Sequence, residues 1–254
     1  MTQRRALIIG LGLIGGSIGL ALRRRGWHVA YDDPFVSLGD ATARGAADGM
    51  RAGSADVIIV ATPVDTAIDI LAAELPADAP VVTTVCSVLA PLANAAASDR
   101  SRFVAGHPMA GSQERGLGAA RADLFDGARW FVDRRDELVS DVIADCGAIE
   151  ELVDADEHDQ AMAVVSHLPQ ILSTALAAHL DESTLRFAGP GLQTFLRLAG
   201  SEAAVWRPIV DANRDAIAPH AAAVASLVQQ ILDGDDEAFA RARRLYIQLS
   251  SGRP

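Results

Sequence analysis

Between an apolar run, Ala6–Ile9, and a helical pattern, Ser17–Arg25, the chain places three glycines in the order Gly10-Leu11-Gly12-Leu13-Ile14-Gly15, and few folds accept that arrangement. Alone, the pattern is a weak signal. In this setting it calls for a strand that turns tightly into a helix. Gly10 permits the turn, Gly12 lets a pyrophosphate approach the backbone, and Gly15 lets the helix pack closely on the strand. The N-terminus of the helix that follows supplies partial positive charge to the phosphates, and Leu13 and Ile14 join the three glycines as expected cofactor-binding residues. Asp32 closes the next strand-like run, 22 positions after Gly10, and is placed to accept hydrogen bonds from adenosine ribose hydroxyls. Asp33, Pro34 and Phe35 follow, with no arginine to pair a 2′-phosphate, so the expected cofactor is NAD rather than NADP.

The rest of the first half repeats this texture. Val29–Tyr31, Val57–Ala61, Val81–Val85, Phe103–Ala105 and Trp130–Val132 are short apolar runs, and segments of helix length such as Ile14–Arg25 and Thr66–Leu75 lie between several of them. Continuous apolar strands alternating with helices indicate a parallel sheet covered on both faces, a doubly wound Rossmann arrangement. From about Asp154 the pattern changes to long Ala/Leu/Val-rich stretches: Glu157–Leu180, Gly191–Ala199, Ala203–Leu232 and Asp236–Leu249. Pro169, Pro190, Pro208 and Pro219 interrupt them as helix starts, ends or kinks. The expected architecture is α/β plus all-α: a sheet domain over residues 1–153 and a helical domain over 154–254.

Composition narrows the function. All 22 basic residues are arginine, which removes lysine Schiff-base chemistry and the phosphate lysine of Walker-type ATPases. A net charge of −11 argues against a nucleic-acid partner. No unbroken apolar run reaches the ~18 residues of a membrane span, and the start is a poor signal peptide. Cys86 and Cys146 are too few for a disulfide scaffold or a four-thiolate zinc site. A cytoplasmic protein without a membrane partner is the expectation.

Three strand ends carry candidate chemistry. Thr62 and Pro63 follow Val57–Ala61, where they would cover the cofactor; Pro63 could equally start the next helix. Ser87 stands just past Val81–Val85. His107 follows Phe103–Ala105 within Gly106-His-Pro-Met-Ala-Gly-Ser-Gln113. A histidine at a strand tip facing a nicotinamide can take a proton from a substrate hydroxyl as hydride leaves. A surface or core histidine is the ordinary alternative.

Several segments together resemble the prephenate/arogenate dehydrogenase family of tyrosine biosynthesis: Gly10 to Ser17, His107-Pro-Met-Ala-Gly-Ser112, Asp156-Glu-His-Asp159 with Ser166-His-Leu-Pro169, and Gly191 to Arg197 with Trp206-Arg207 and Asn213-Arg214. They fall in family order over almost the whole chain. The resemblance implies NAD-dependent oxidative decarboxylation of prephenate. It makes His107 the group that assists hydroxyl deprotonation, Ser87 its neighbour at the nicotinamide, and Arg197 the grip on a substrate carboxylate. It makes His167, Gln113 and Trp206 pocket residues, and the helical half a homodimer interface. A guanidinium suits its role because it stays ionised and pairs bidentately with carboxylate.

The chain departs from the family pattern at Thr84, Leu89, Gln113, Gln170 and Thr194, which leaves the pocket poorer in carboxylates than usual. That favours prephenate, while arogenate and 4-amino-4-deoxyprephenate stay open as substrates. An NAD-binding sensor without turnover is the non-enzyme alternative, and a β-hydroxyacid dehydrogenase the other enzyme. The nine-residue spacing of His158 and His167 puts them on opposite faces of a regular helix, so no metal pair is expected. With only Ser250–Pro254 after the last helical stretch, no appended regulatory domain is expected.

Overall fold

A computed structural model describes residues 3–73, 80–111 and 114–251. The chain opens with β1 (Arg5–Ile9), α1 (Leu13–Arg24), β2 (His28–Asp32), α2 (Leu38–Arg44) and a two-residue β3 (Gly49–Met50). It continues through β4 (Val57–Val60), α3 (Val64–Ala72), β5 (Val81–Thr84), α4 (Ala90–Ala95) and β6 (Phe103–Val104). These strands form one parallel sheet in the order β3-β2-β1-β4-β5-β6. The order reverses between β1 and β4, which opens a crevice beyond their carboxyl ends. This is the Rossmann arrangement that the glycine turn and the apolar runs indicated.

The strands read as unbroken apolar runs because both faces are covered. In β1, Ala6 and Ile8 join the core cluster of Ile18 and Leu22 from α1, while Leu7 joins Val64, Ala67 and Leu71 of α3 on the other face. After β6 the chain leaves this sheet. β7 (Gly106–Pro108) pairs antiparallel with β8 (Arg129–Val132), and past α5 (Glu137–Asp145) β9 (Ile149–Leu152) pairs parallel with β8. A Cβ at Gly106 would lie 2.7 Å from the Thr84 carbonyl oxygen, so only glycine lets β7 pass this close to the end of β5. That approach sets His107, a buried residue, near the carboxyl end of β5.

Beyond Leu152 the regular structure is helical among the described residues. α6 (Ala155–Met162), a π turn (Ala163–His167) and α7 (Leu168–His179) make one 25-residue helix. Its length and mean hydropathy, 1.4 over an 18-residue window, would suffice to cross a bilayer although no unbroken apolar run does. Its buried His158, Asp159 and His167 are hydrogen-bonded inside the protein, which fits a core helix instead. α8 (Pro190–Phe195) and a 3-10 turn (Leu196–Gly200) follow, then α9 (Ala203–Ala212), α10 (Arg214–Leu232) and α11 (Asp236–Ser250). The Ala203–Leu232 stretch is two helices, broken at Asn213 rather than at Pro208 or Pro219. Pro190 stands in the first turn of α8, whereas Pro169, just past the π turn, and Pro208 and Pro219 lie inside continuous helix. Ile209 of α9 belongs to the core under α3 and α4, but the cluster proper to the helical half is small: Ala163, Ala216 and Ile217.

Candidate active site

The glycine turn is built for close packing on one side and access on the other. Gly10 has φ of +91°, and a Cβ there would lie 2.7 Å from the Ala61 carbonyl oxygen. At Gly15 a Cβ would fall 2.0 Å from the Gly10 carbonyl oxygen. Gly12 is the opposite case, with nothing within 4 Å of the position a Cβ would take. It caps α1 without a side-chain hydrogen bond, so the first-turn amides of Leu13, Ile14 and Gly15 face space a pyrophosphate could fill. Asp33 holds the turn from outside, its carboxylate accepting from the N–H groups of Leu11, Phe35 and Val36.

Asp32 stands exposed at the end of β2. Arg51 brings a guanidinium nitrogen to 3.7 Å from its carboxylate. Sequence reasoning missed this arginine because it looked only at the residues directly after Asp32. Arg51 arrives through space, carried by the parallel pairing of β3 with β2, which sets Met50 opposite Tyr31.

A cleft of about 460 Å³ runs between the two halves. Gly12, Leu13, Ile14, Thr62, Pro63 and Ser87 line it from the sheet domain, and Gly200, Ser201 and Trp206 from the helical domain. Pro63 also caps α3, the helix-start reading of that proline. The cleft joins the dinucleotide turn to Ser87 and Trp206.

Behind Ser87 lies a buried polar cluster. His107 on β7 sets its Nδ1 2.9 Å from Nε2 of His158, and His158 sets its Nδ1 2.7 Å from Oδ1 of Asp159. The same carboxylate accepts hydrogen bonds from the backbone N–H groups of Leu89 and Ala90, at 2.8 and 2.9 Å. The Asn213 amide donates to the Asp159 carbonyl and meets Nδ1 of His167 at 3.1 Å. His167 packs edge-on against Trp206, their ring centroids 6.1 Å apart. Burial pushes the His107 pKa down to about 3, with His158 and His167 adding to the shift. Burial also takes His167 down to about 4, against the opposing pull of the Asp159 carboxylate. The Ser87 backbone also acts on His167, which sets this cluster next to the cleft wall, while Nε2 of His167 has no hydrogen-bond partner among the described residues.

His158 and His167 thus belong to one cluster, a correction to the opposite-face expectation. The π turn between them carries an extra residue per turn, so the nine-residue spacing loses its regular-helix phase. Sequence reasoning therefore missed His158 and Asp159 as site residues, although Asp156-Glu-His-Asp159 was already among the segments carrying the resemblance. Among the described residues no group of three or more His, Cys, Asp or Glu is arranged to hold a metal ion.

Arg197 is exposed on the 3-10 turn and is not among the residues lining the cleft, although Gly200 and Ser201 just beyond it are. That turn is tied to α7 by Gln170, whose amide donates to the Leu198 carbonyl at 2.9 Å, and by Ser173, bonded to the Phe195 carbonyl and the Ala199 amide. Gln113 lies outside the described residues. Glu114 and Arg115 line the cleft instead, with Arg115 ion-paired across it to Glu202 of the helical half.

Residues 18–148 match the family model for the prephenate dehydrogenase nucleotide-binding domain, and residues 154–242 match that for the prephenate dehydrogenase dimerization domain. The chain belongs to the prephenate dehydrogenase family. It is 35% identical over 232 residues to the probable prephenate dehydrogenase NovF of Streptomyces niveus, covering 83% of this chain and 63% of that protein. Across the first three curated relatives it spans 63–65% of their length. Among solved structures, prephenate dehydrogenase from A. aeolicus in complex with hydroxyphenyl propionate and NAD+ superimposes with a TM-score of 0.83 at 25% identity, over 99% of both chains. Synechocystis arogenate dehydrogenase gives 0.76, also at 25% identity, over 97% of this chain and 98% of that one.

Proposed function

We propose that this chain is an NAD-dependent prephenate dehydrogenase that converts prephenate to 4-hydroxyphenylpyruvate and carbon dioxide. What carries the reading is one juxtaposition. The cleft that holds the glycine turn also holds Ser87, whose backbone adjoins the buried cluster of His167 and His107. The residues fit the cofactor: Gly12 leaves room for the pyrophosphate, the amides of Leu13, Ile14 and Gly15 would hold it, and Asp32 would take the ribose hydroxyls, with Thr62 and Pro63 lining the same cleft. When bound, NAD supplies the hydride acceptor. His107 takes the ring hydroxyl proton as the carbon–hydrogen bond breaks, and returns it once loss of the ring carboxylate has made the oxygen phenolic. Ser87 orients that hydroxyl, Arg197 binds a substrate carboxylate, and His167, Gln113 and Trp206 shape the far end of the pocket. The protein works as a cytoplasmic homodimer through its helical domain, with the division between domains at residues 153 and 154.

Arogenate is the second reading, and Glu114 favours it. A carboxylate on the cleft wall suits an ammonium group, which arogenate carries and prephenate lacks. Purified protein is incubated with NAD or NADP and with prephenate, arogenate or 4-amino-4-deoxyprephenate, and reduced nicotinamide is followed by absorbance. Turnover of prephenate with NAD is expected. Turnover of arogenate alone would replace the substrate assignment, and turnover of none would leave the NAD-binding sensor.

A further inference from the structure

We propose that His158 and Asp159 act on the reaction through His107, first by keeping its Nε2 unprotonated and then by sharing the proton it borrows from the substrate. The proposal deepens the reading of His107 as proton acceptor and rests on it.

The tautomers follow from the donors around Asp159. Its two carboxylate oxygens accept from the Leu89 and Ala90 amides, and a carboxylate can only accept. The His158 nitrogen 2.7 Å away must therefore be a donor, which puts the proton of a neutral His158 on Nδ1. Its Nε2 is then an acceptor, and the His107 Nδ1 at 2.9 Å must donate to it. Neutral His107 has no second proton to place, so its Nε2 carries a free lone pair. The reverse assignment would aim the His158 lone pair at a carboxylate oxygen. The two carboxylate-binding amides are backbone groups at the start of α4, so a fixed element, not a mobile side chain, sets the direction of the chain.

The same geometry offers a place for the borrowed proton. As hydride leaves the ring carbon, the O–H electron pair closes the carbon–oxygen double bond and the proton passes to Nε2 of His107. The proton on His107 Nδ1 moves to Nε2 of His158. His107 stays neutral, and His158 becomes an imidazolium whose Nδ1–H already faces the Asp159 carboxylate. When the bond to the ring carboxylate breaks, its electron pair enters the ring and leaves a phenolate. The phenolate retakes the proton from His107, and His158 returns its proton to His107 Nδ1. No proton is gained or lost overall, and both tautomers are reset within the turnover.

Charge on His107 itself would be poorly tolerated. The ring is buried, and burial pushes its pKa down to about 3. An imidazolium at His158 is paired instead with a carboxylate that has two further backbone donors, the condition under which buried charge is tolerated. The groups facing His158 are Asp159 on its own helix, His107 from β7, the neutral His167 across the π turn, and the apolar ring of Phe131 from β8, with centroids 5.5 Å apart. His158 is thus a positioning residue that reaches the substrate only through His107.

Two measurements test this. In protein labelled with ¹⁵N-histidine and free of substrate, long-range ¹H–¹⁵N spectra at neutral pH should show His107 and His158 both protonated at Nδ1 and bare at Nε2. A proton on Nε2 of His107 overturns the positioning half whatever the enzyme turns over. The variant His158→Gln keeps an acceptor for the His107 Nδ1–H but has no basic nitrogen. Its single-turnover rate should fall about 10²-fold, the lower end for general acid–base catalysis, with NADH binding and KM within about twofold of wild type. Solvent-deuterium proton inventories should be curved in wild type, with two protons in motion, and linear in the variant. A linear wild-type inventory, or an unchanged rate in His158→Gln, sinks the relay. Absence of wild-type turnover on every substrate would count against the assigned function, while the histidine spectra would still decide the tautomers.

Discussion

At His107 burial and basicity pull in opposite directions, and the balance leaves a pH signature. The ring and that of His167 are held neutral in the fold, with pKa values near 3 and 4, against about 6.5 in an unfolded chain. Unfolding therefore takes up protons below pH 6.5. The stability contributed by the two neutral rings is fully present above that pH and is lost as pH falls towards 4. Each can steepen the fall by up to about 1.4 kcal/mol per pH unit. Urea unfolding at pH 7.0, 6.0 and 5.0 should show this slope, and His167→Gln should flatten it; an equal slope in the variant would remove His167 from the account. Asp32 and Arg51 give a second prediction at this scale. Their pairing sets a guanidinium beside the acid proposed to bind the ribose. Asp32→Asn should weaken NAD and improve NADP, moving the ratio of their kcat/KM values by about 10–100-fold, as a charged hydrogen bond of ~1.5–3 kcal/mol implies. Selectivity unaltered by that substitution would mean the acid does not read the ribose.

Elements show where sequence reading works and where it stops. The strands of the parallel sheet other than β3 were legible because burial on both faces writes an unbroken apolar run, as in Val57–Val60. β9, Ile-Glu-Glu-Leu, carries two glutamates and has no fully buried position, and β3 has two residues, so neither leaves a readable pattern. The π turn was invisible for another reason. Ala163-Val-Val-Ser-His167 has ordinary helical composition, so nothing in its residues marks the extra residue per turn. The contact of His107 with His158 spans 51 residues and cannot be read from spacing. The break at Asn213 has a similar origin. Asn213 is a poor interior helix residue, but its side chain bridges the Asp159 carbonyl and His167 at the point where α9 gives way to α10. Asn213→Ala should remove both contacts and leave His167 without its partner on Nδ1. The expected cost is about 1–3 kcal/mol, the range for a buried group left unsatisfied, read as a lower urea midpoint at unchanged m-value. A midpoint equal to wild type would show that the break is held by packing alone.

For the whole molecule, the two halves differ in how far they are finished as single chains. The sheet domain encloses two large apolar cores, one on each face. The helical domain has an apolar cluster of only three buried residues, Ala163, Ala216 and Ile217, and exposes a long series of apolar side chains. On α11 only Ala238 is buried, while Phe239, Leu245, Tyr246, Ile247 and Leu249 are all more than half exposed. Val228 and Leu232 of α10 add to the same imbalance. So much apolar surface on one domain marks an association site. The match of residues 154–242 to a dimerization domain favours a second copy as what covers it. Sedimentation velocity should therefore give a mass about twice the 26.6 kDa of one chain. Replacing Leu245 and Leu249 together by arginine should yield a monomer, because each leucine fully buried in the interface contributes roughly 1.5–3 kcal/mol and the loss is felt in both copies. The sheet domain has its own cores and its own glycine turn, so the monomeric variant should still bind NADH with near-native affinity. A double variant that remains dimeric would place the interface elsewhere on the helices. One that loses NADH binding along with dimerisation would mean the cleft depends on the partner for its shape.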